Sequence, residues 1–147
     1  IIGNTFSTDK DVSSPHGKSD AWLLVVDHNG ELIRENTYGG SEFEVGQTLA
    51  LDNEGKIWLA GYGQSQNGDF FQNKGSNDMF LMQLDAQLFP KQQFHLGGSG
   101  EDFAYDLLCW KAGKIVVVGT TESSDDYFQA THGNKDIFVA IWDENNE

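Results

Sequence analysis

The sequence predicts an all-β fold built from a repeated unit, and three observations carry this prediction. Short segments rich in Val, Ile, Leu, Trp and Phe alternate with glycine-rich and acidic turns at intervals of about 8 to 15 residues. The 147 residues include 17 glycines and only two prolines, a composition that favours tight turns over long helices. The chain also matches itself at a constant offset of 58 residues.

The offset is marked by a motif that occurs three times, each time directly before an apolar segment. Its copies are Gly17-Lys-Ser-Asp20, Gly75-Ser-Asn-Asp78 and Gly133-Asn-Lys-Asp136. The same offset aligns further glycine, serine and aspartate residues without a gap, namely Gly3, Gly61 and Gly119; Ser7, Ser65 and Ser123; and Asp27, Asp85 and Asp143. A register kept over so many positions indicates tandem repeats.

Each repeat is predicted to contain four strands, here called a, b, c and d. Strand a is expected at 21–26, 79–84 and 137–142, b at about 32–38 and 91–96, c at about 46–51 and 104–109, and d at about 56–62 and 114–120. Strand a is apolar at nearly every position, which is typical of a strand buried on both faces. Strands c and d are predicted to form a hairpin.

The turns and connections follow from the polar segments. The long segments 63–77 and 121–135, rich in Ser, Asn, Asp and Gly, are predicted to connect one four-stranded unit to the next. Leu88, followed by Phe89 and Pro90, stands where the equivalent turn has Gly30, and Trp110 stands where it has Asp52. Both turns are therefore predicted to differ in shape from their counterparts.

Four-stranded units of this length in tandem are typical of a β-propeller, a ring of about four to eight blades. The chain is predicted to form about two and a half blades of one such domain. Strand d and a connection occupy 1–16, blade repeats occupy 17–74 and 75–132, and strand a of a further blade occupies 133–147. Because this number of blades cannot close a ring, we expect the missing remainder of the chain, a second copy or a partner protein to cover the exposed blades.

The chain begins at Ile1, without a methionine and in a segment that reads as part of a strand. We therefore expect that a signal peptide and other sequence precede it in the complete protein.

Three motifs carry a resemblance to a known family: the segment from Gly17 to Asp27, Tyr38-Gly-Gly-Ser41, and the segment from Gly55 to Gly61. They resemble the bacterial β-propeller repeat family, sometimes called the seven-bladed repeat, over nearly the whole chain. The form with His-Gly or Lys-Gly before strand a is similar to repeats in large secreted or surface proteins of Bacteroidota. The resemblance implies a propeller, an extracellular or outer-membrane-associated location, and no catalytic residue common to the family.

Charge narrows the choice of partners. The chain has 23 acidic and 9 basic residues and a formal net charge of −14, which opposes binding to nucleic acid or to an anionic membrane. It has no apolar segment near the roughly 18 residues that span a bilayer, so we expect no membrane insertion. The single cysteine, Cys109, lies in an apolar segment and is expected to be a buried, unreactive thiol.

The recurring acids predict structure rather than catalysis, since an active site is assembled once and these acids occur in every repeat. Asp20, Asp78 and Asp136 are expected to accept backbone N–H groups, and Asp27, Asp85 and Asp143 are expected to form turns. The acids of the loops at 9–11, 67–69 and 125–126 are expected to be solvated rather than to bind calcium, and the histidines lack the spacing of zinc ligands. We expect no cofactor, no metal and no enzymatic activity.

Residues that break the repeat are better candidates for function. Trp110, Tyr105 and Phe43 stand where other repeats have Asp52, Gln47 and Glu101, and we predict them as partner contacts because exposed aromatic residues often anchor interfaces. Packing against a neighbouring loop is the alternative for these three. By contrast, Val12, Phe70 and Phe128 recur at one repeat position and are predicted to pack in the core.

The sequence thus predicts a non-enzymatic propeller scaffold of a secreted or cell-surface bacterial protein that binds protein or glycan through its loops. A first alternative is a fragment of a glycan-acting hydrolase whose catalytic residues lie largely outside this segment. A second is a structural spacer in a very large adhesin, which would have no concentrated aromatic or acidic patch.

Overall fold

The structure is a computed structural model that describes residues 1–70 and 72–144. These residues form ten β-strands and a three-residue 3-10 helix, Lys111–Gly113. The strands are β1 (Ile2–Thr5), β2 (Asp20–Val26), β3 (Leu32–Tyr38), β4 (Glu44–Leu51), β5 (Ile57–Gly63), β6 (Asp78–Leu84), β7 (Pro90–Leu96), β8 (Asp102–Trp110), β9 (Lys114–Thr121) and β10 (Asp136–Asp143). In this part of the chain, no helix is long and apolar enough to cross a membrane.

The strands form three antiparallel sheets, which confirms the all-β prediction. The first sheet has the order β1-β2-β3, the second β4-β5-β6-β7 and the third β8-β9-β10. Every strand pairs with its neighbour in the sequence, except where the chain passes from β3 to β4 and from β7 to β8. Those two passages are the segments 39–43 and 97–101, which we call the crossovers.

The prediction that the long polar segments connect neighbouring units is wrong. Segment 63–77 joins β5 to β6 within the second sheet, and Gly63 pairs with Asp78 at its two ends. Segment 121–135 joins β9 to β10 within the third sheet in the same way. The four-stranded second sheet therefore contains strands c and d of one repeat and strands a and b of the next. The prediction assumed that such long segments pass between units, but a long connection can also fold back onto its own sheet.

Strand β6 is buried along its whole length. On one face, Phe80 and Met82 pack against Leu23 of the first sheet. On the other face, Met79 and Leu81 pack with residues of the third sheet. The second sheet thus separates two apolar clusters, and the prediction of a strand buried on both faces is confirmed for β6.

The residues predicted as core plugs on the connections are buried. Val12, Phe70 and Phe128 are 8%, 2% and 8% exposed. The Phe70 ring lies 4.5 Å from the Phe80 ring, and the Phe128 ring lies 5.4 Å from that of Phe138. These contacts fasten each long connection to the sheet that it belongs to and confirm the prediction.

The two turns predicted to differ behave differently from one another. At Leu88, the turn keeps the hydrogen bonds of its counterpart at Gly30, and Leu88 has a φ of 70° where Gly30 has 86°. The predicted change of shape is therefore wrong at Leu88. A left-handed leucine is strained, and burial of its side chain, 1% exposed, offsets that cost. At Trp110 the chain forms the 3-10 helix instead, so the predicted difference is confirmed there.

The two-sided burial of β6 predicts a large effect of Leu81→Ala. The substitution removes most of a side chain that is 2% exposed, so the free energy of unfolding should fall by about 2–5 kcal/mol in urea titrations. Leu51→Ala is the matched control, because Leu51 is 63% exposed, and its effect should stay within about 0.5 kcal/mol. Equal effects of the two substitutions would contradict the packing seen around β6.

Candidate interaction sites

The acids that precede strand a hold the backbone, as predicted. In each repeat the aspartate accepts a hydrogen bond from the backbone N–H four residues earlier: Asp20 from His16 at 2.7 Å, Asp78 from Lys74 at 2.6 Å and Asp136 from His132 at 2.6 Å. A Cβ atom added at Gly39 would lie 1.8 Å from Oδ1 of Asp20. This close approach explains why a glycine ends strand b.

Two buried carboxylates at the start of strand c were not predicted. Glu44 is 0% exposed and accepts the N–H of Gly40 at 2.8 Å and the N–H of Ser65 at 3.0 Å. Its counterpart Asp102, also 0% exposed, accepts the N–H of Gly98 at 2.9 Å and the hydroxyl of Ser123 at 2.7 Å. We call Glu44 and Asp102 the latch acids, because each ties a crossover to the end of strand d. Their shared repeat position was a signal that the sequence contained.

Polar residues of the long connections also accept hydrogen bonds from the backbone of the crossovers. Asn67 accepts the N–H of Ser41 at 2.8 Å through Oδ1, and its counterpart Asp125 accepts the N–H of Ser99 at 2.9 Å. The bond from Ser99 holds the pKa of Asp125 below its ordinary value. These loops were expected only to be solvated, and the structure shows that their oxygens also bind backbone.

The prediction of turn-forming acids is confirmed for Asp27 and Asp85, whereas the turn expected after Asp143 extends beyond the described residues. Asp27 accepts the N–H groups of Asn29 and Glu31 at 2.8 and 2.9 Å, and these bonds lower its pKa. Asp85 accepts the equivalent pair, from Gln87 and Phe89, at 2.9 and 3.0 Å, while Lys91 contributes most to lowering its pKa. Asp143 forms an ion pair with Lys114 at 3.0 Å.

The thiol of Cys109 is half-buried and packs beside the apolar cluster between the second and third sheets. Burial raises its pKa to about 11, and the charges of Asp52 and Glu144 raise it as well. A thiol with so high a pKa carries little thiolate at neutral pH, which agrees with the prediction of an unreactive cysteine.

Phe43, a predicted partner contact, lies immediately before β4. Its ring makes an edge contact with Phe6 at 6.5 Å, and the ammonium of Lys18 lies 5.2 Å from its centroid. Phe43 also accepts the N–H of Gln64 through its backbone oxygen at 2.9 Å. The residue thus packs against neighbouring loops and remains 40% exposed.

Trp110, the second predicted contact, ends β8. It lines a mostly polar surface pocket of about 220 Å³ together with Asp52, Glu54 and Glu144. The ammonium of Lys111 lies 5.8 Å from the Trp110 ring, which is 48% exposed. Trp110 therefore lies beside the turn of the preceding repeat, as the packing alternative expected, and keeps an exposed surface.

Tyr105, the third predicted contact, occupies a β-bulge in β8 where the register with β9 shifts. Its counterpart Gln47 occupies the same bulge in β4. Bulges redirect a side chain away from the regular sheet, and Tyr105 is 48% exposed. Thr120 donates a hydrogen bond to the Tyr105 hydroxyl at 3.3 Å.

The Tyr105 ring is the end of a row of three aromatic rings. It is stacked with Phe103 at 6.4 Å with an interplanar angle of 12°, and Phe103 meets Tyr62 edge-on at 4.7 Å. Lys135 lies 5.2 Å from the Phe103 centroid and pairs with Glu122 at 3.0 Å. Because Tyr62 belongs to β5, this aromatic row connects the second and third sheets.

The three predicted contacts do not form one site. Phe43 lies where the first and second sheets meet, whereas Tyr105 and Trp110 lie on β8 about 16 Å apart at the usual rise of a strand. Only Tyr105 belongs to a larger group of aromatic side chains. Among the predicted contacts, the aromatic row around Tyr105 is therefore the strongest candidate for binding a partner.

A second candidate is the uncovered side of the third sheet, which we call the open face. On β10, Ile137, Val139 and Ile141 are 83%, 63% and 58% exposed. Their pairing partners on β9 include Val116 and Val118. The prediction that strand a is buried on both faces is wrong for β10, because no sheet among the described residues covers this side.

An apolar groove of about 480 Å³ lies beside β10, whose outer edge pairs with no described strand. Phe94 and Leu96 of β7 form one wall of this groove, and Phe138 and Trp142 of β10 form the other. The Phe94 and Trp142 rings lie 3.6 Å apart. The groove extends the apolar surface of the third sheet around its edge.

The latch acids predict a loss of stability in Glu44→Ala. Removing the carboxylate leaves two buried N–H groups without an acceptor, so the free energy of unfolding should fall by at least about 2 kcal/mol in urea titrations. Glu54→Ala is the control, since the Glu54 side chain is 74% exposed and pairs only with Lys56 at the surface. A change below about 0.5 kcal/mol in Glu44→Ala would argue against the latch.

Asp78 predicts a pH dependence of stability. Burial raises its pKa in the folded chain, and the nearby charge of Asp102 raises it further. As the pH rises from the unfolded value of 3.8 through the folded pKa, the unfolded chain loses this proton first, so the contribution of Asp78 to stability is lost. Urea midpoints of wild type should therefore fall relative to those of Asp78→Asn over this interval. A difference between the two proteins that does not vary with pH would contradict the shift.

No protein-family model matches the chain, and no curated protein matches it either. Its function is therefore inferred from its own geometry, which combines two kinds of exposed apolar surface with recurring acids that accept hydrogen bonds from the backbone.

Proposed function

We propose that the chain is part of a β-propeller that acts as a non-enzymatic interaction scaffold and contacts a protein or a glycan through the aromatic row around Tyr105. The proposal has two steps, the arrangement of the sheets around an axis and the choice of the contact.

The arrangement is supported by a hydrogen bond between equivalent positions of successive repeats. Thr48 of β4 donates to Asp106 of β8 at 2.9 Å, and these residues are 58 positions apart, which is the repeat offset. Equivalent residues of blades arranged in a ring come into contact only close to the axis. In the proposed ring, strands β4 and β8 are the inner strands of their blades and line the channel.

The choice of contact is supported by the place of Tyr105 on such an inner strand. Tyr105 directly precedes Asp106, and its ring projects from a bulge that carries a polar glutamine in the preceding repeat. Exposed tyrosine offers a large, rigid contact area at a small cost in conformational entropy. The exposed tyrosine at the end of an aromatic row, where the equivalent bulge of the preceding repeat has Gln47, is the single observation that carries the proposed contact.

The non-enzymatic part of the proposal is supported by what the acids do. Asp20, Asp78, Glu44 and Asp102 accept hydrogen bonds from backbone or serine groups in recurring positions. Such acids hold the crossovers and strand ends in place, and recurring use in each repeat is the pattern of a scaffold. An extracellular or cell-surface location is part of the proposal and is supported by the repeat resemblance.

Tyr105→Gln tests the contact, because the substitution installs the residue that the equivalent bulge already contains. Wild type and variant would be applied to an array of bacterial and plant polysaccharides and to immobilised bacterial surface proteins. Binding should weaken by about 30-fold, the loss of an aromatic anchor worth about 2 kcal/mol, while the urea midpoint stays unchanged. Gln47→Ala is the control at the other bulge and should bind as wild type does. Equal binding by Tyr105→Gln and wild type would refute the contact.

A further inference from the structure

The open face of the third sheet has buried counterparts at the same repeat positions. Val139, 63% exposed, corresponds to Leu81 and Leu23, which are each 2% exposed, and Ile137, 83% exposed, corresponds to Met79 at 3%. The second sheet covers Leu23, and the third sheet covers Met79 and Leu81. In each case the covering sheet is the next one along the chain. The same kind of interface therefore occurs twice within the chain, and the open face is a third copy of one of its two sides.

The other side of that interface is only partly covered on the first sheet. On the second sheet this side consists of Phe80, Met82 and Leu84, which are 2%, 0% and 0% exposed. The equivalent residues of the first sheet, Trp22, Leu24 and Val26, are only half-buried.

Ile1 extends this surface on the first sheet. It exchanges two backbone hydrogen bonds with Leu24, at 2.8 and 2.9 Å, and so lies on the same side of the sheet. Its side chain is 66% exposed, whereas that of its counterpart Leu59 is fully buried. We call the surface of Ile1, Trp22, Leu24 and Val26 the front face.

We propose that the open face of one chain binds the front face of a second copy of the chain, head to tail. Each chain carries both sides of an interface that it already forms twice internally, so a second copy supplies the equivalent positions with apolar side chains. The internal interface always joins the back of one sheet to the front of the next. Pairing of two open faces has no counterpart among the sheet contacts of the described residues.

The number of sheets favours a closed pair. The described residues form three sheets, so two copies of this segment supply six, within the range of about four to eight blades that close a ring, whereas three copies supply nine. A head-to-tail contact whose rotation closes gives a ring rather than a filament. This inference uses the propeller arrangement but is independent of the contact proposed for Tyr105.

Light scattering of the full chain at about 10 μM tests the proposal. Wild type should have twice the 16.3 kDa mass of the chain. Val139→Glu, in the open face, and Leu24→Glu, in the front face, should each be monomeric, because a buried unpaired charge destabilises an interface by several kcal/mol. Leu51→Glu is the control, since Leu51 is as exposed as Val139 and lies on neither face; it should keep the double mass.

Mixing the two variants separates head-to-tail binding from self-pairing of the open faces. The intact open face of Leu24→Glu should bind the intact front face of Val139→Glu and restore the double mass. Ile1→Glu provides a second front-face variant, and far-ultraviolet circular dichroism would show that all variants keep their strands. A monomeric wild type, or a Leu24→Glu and an Ile1→Glu protein that both keep the double mass, would overturn the proposal, while the binding assay with Tyr105→Gln would be unaffected.

Discussion

An apolar strand buried on both faces needs a packed sheet on each side, and this requirement governs the whole structure. Strand β6 satisfies it, since Phe80 and Met82 face the first sheet while Met79 and Leu81 face the third. Strand β10 carries the same apolar pattern, yet the residues on one of its sides remain exposed. The apolar sequence pattern of strand a therefore indicates that a sheet should pack on each of its sides. Where no described sheet covers the strand, as on one side of β10, its apolar side chains stay exposed.

Passing from one packed sheet to the next requires a short and compact crossover, which creates a problem for its backbone. Buried N–H groups must find acceptors, and a crossover belongs to no strand ladder. The latch acids, Glu44 and Asp102, supply those acceptors from the start of the next strand. Side chains are excluded at the crossover glycines, since a Cβ on Gly40 would lie 2.4 Å from that of Ser65. At each crossover, the glycines thus leave room for the close approach of the backbone, and the buried carboxylate accepts its N–H groups.

Recurring residues have structural roles in this protein, whereas the exposed aromatic residue Tyr105 does not recur, and this difference supports the proposed function. Recurring acids are engaged in holding strand ends, turns and crossovers, so the chemistry available for a partner lies where the repeats differ. Tyr105 differs from Gln47 at a bulge, and its ring extends a row formed with Phe103 and Tyr62. The proposed apolar assembly through the sheet faces and the proposed aromatic contact on β8 use separate surfaces. The two proposals therefore depend on different side chains.

The sequence by itself determined the local features of this protein. The 58-residue offset located nine of the ten described strands to within two residues at each end, and the plugs Phe70 and Phe128 and the turn acids Asp27 and Asp85 behave as predicted. These features depend on hydrogen bonds and side-chain patterns close along the chain, which sequence records directly. Only the tertiary structure decided which strands share a sheet, since segment 63–77 could join two units or fold back within one. It also decided that Glu44 is buried and that Val139 is exposed while Leu81 is not, because burial depends on residues far along the chain.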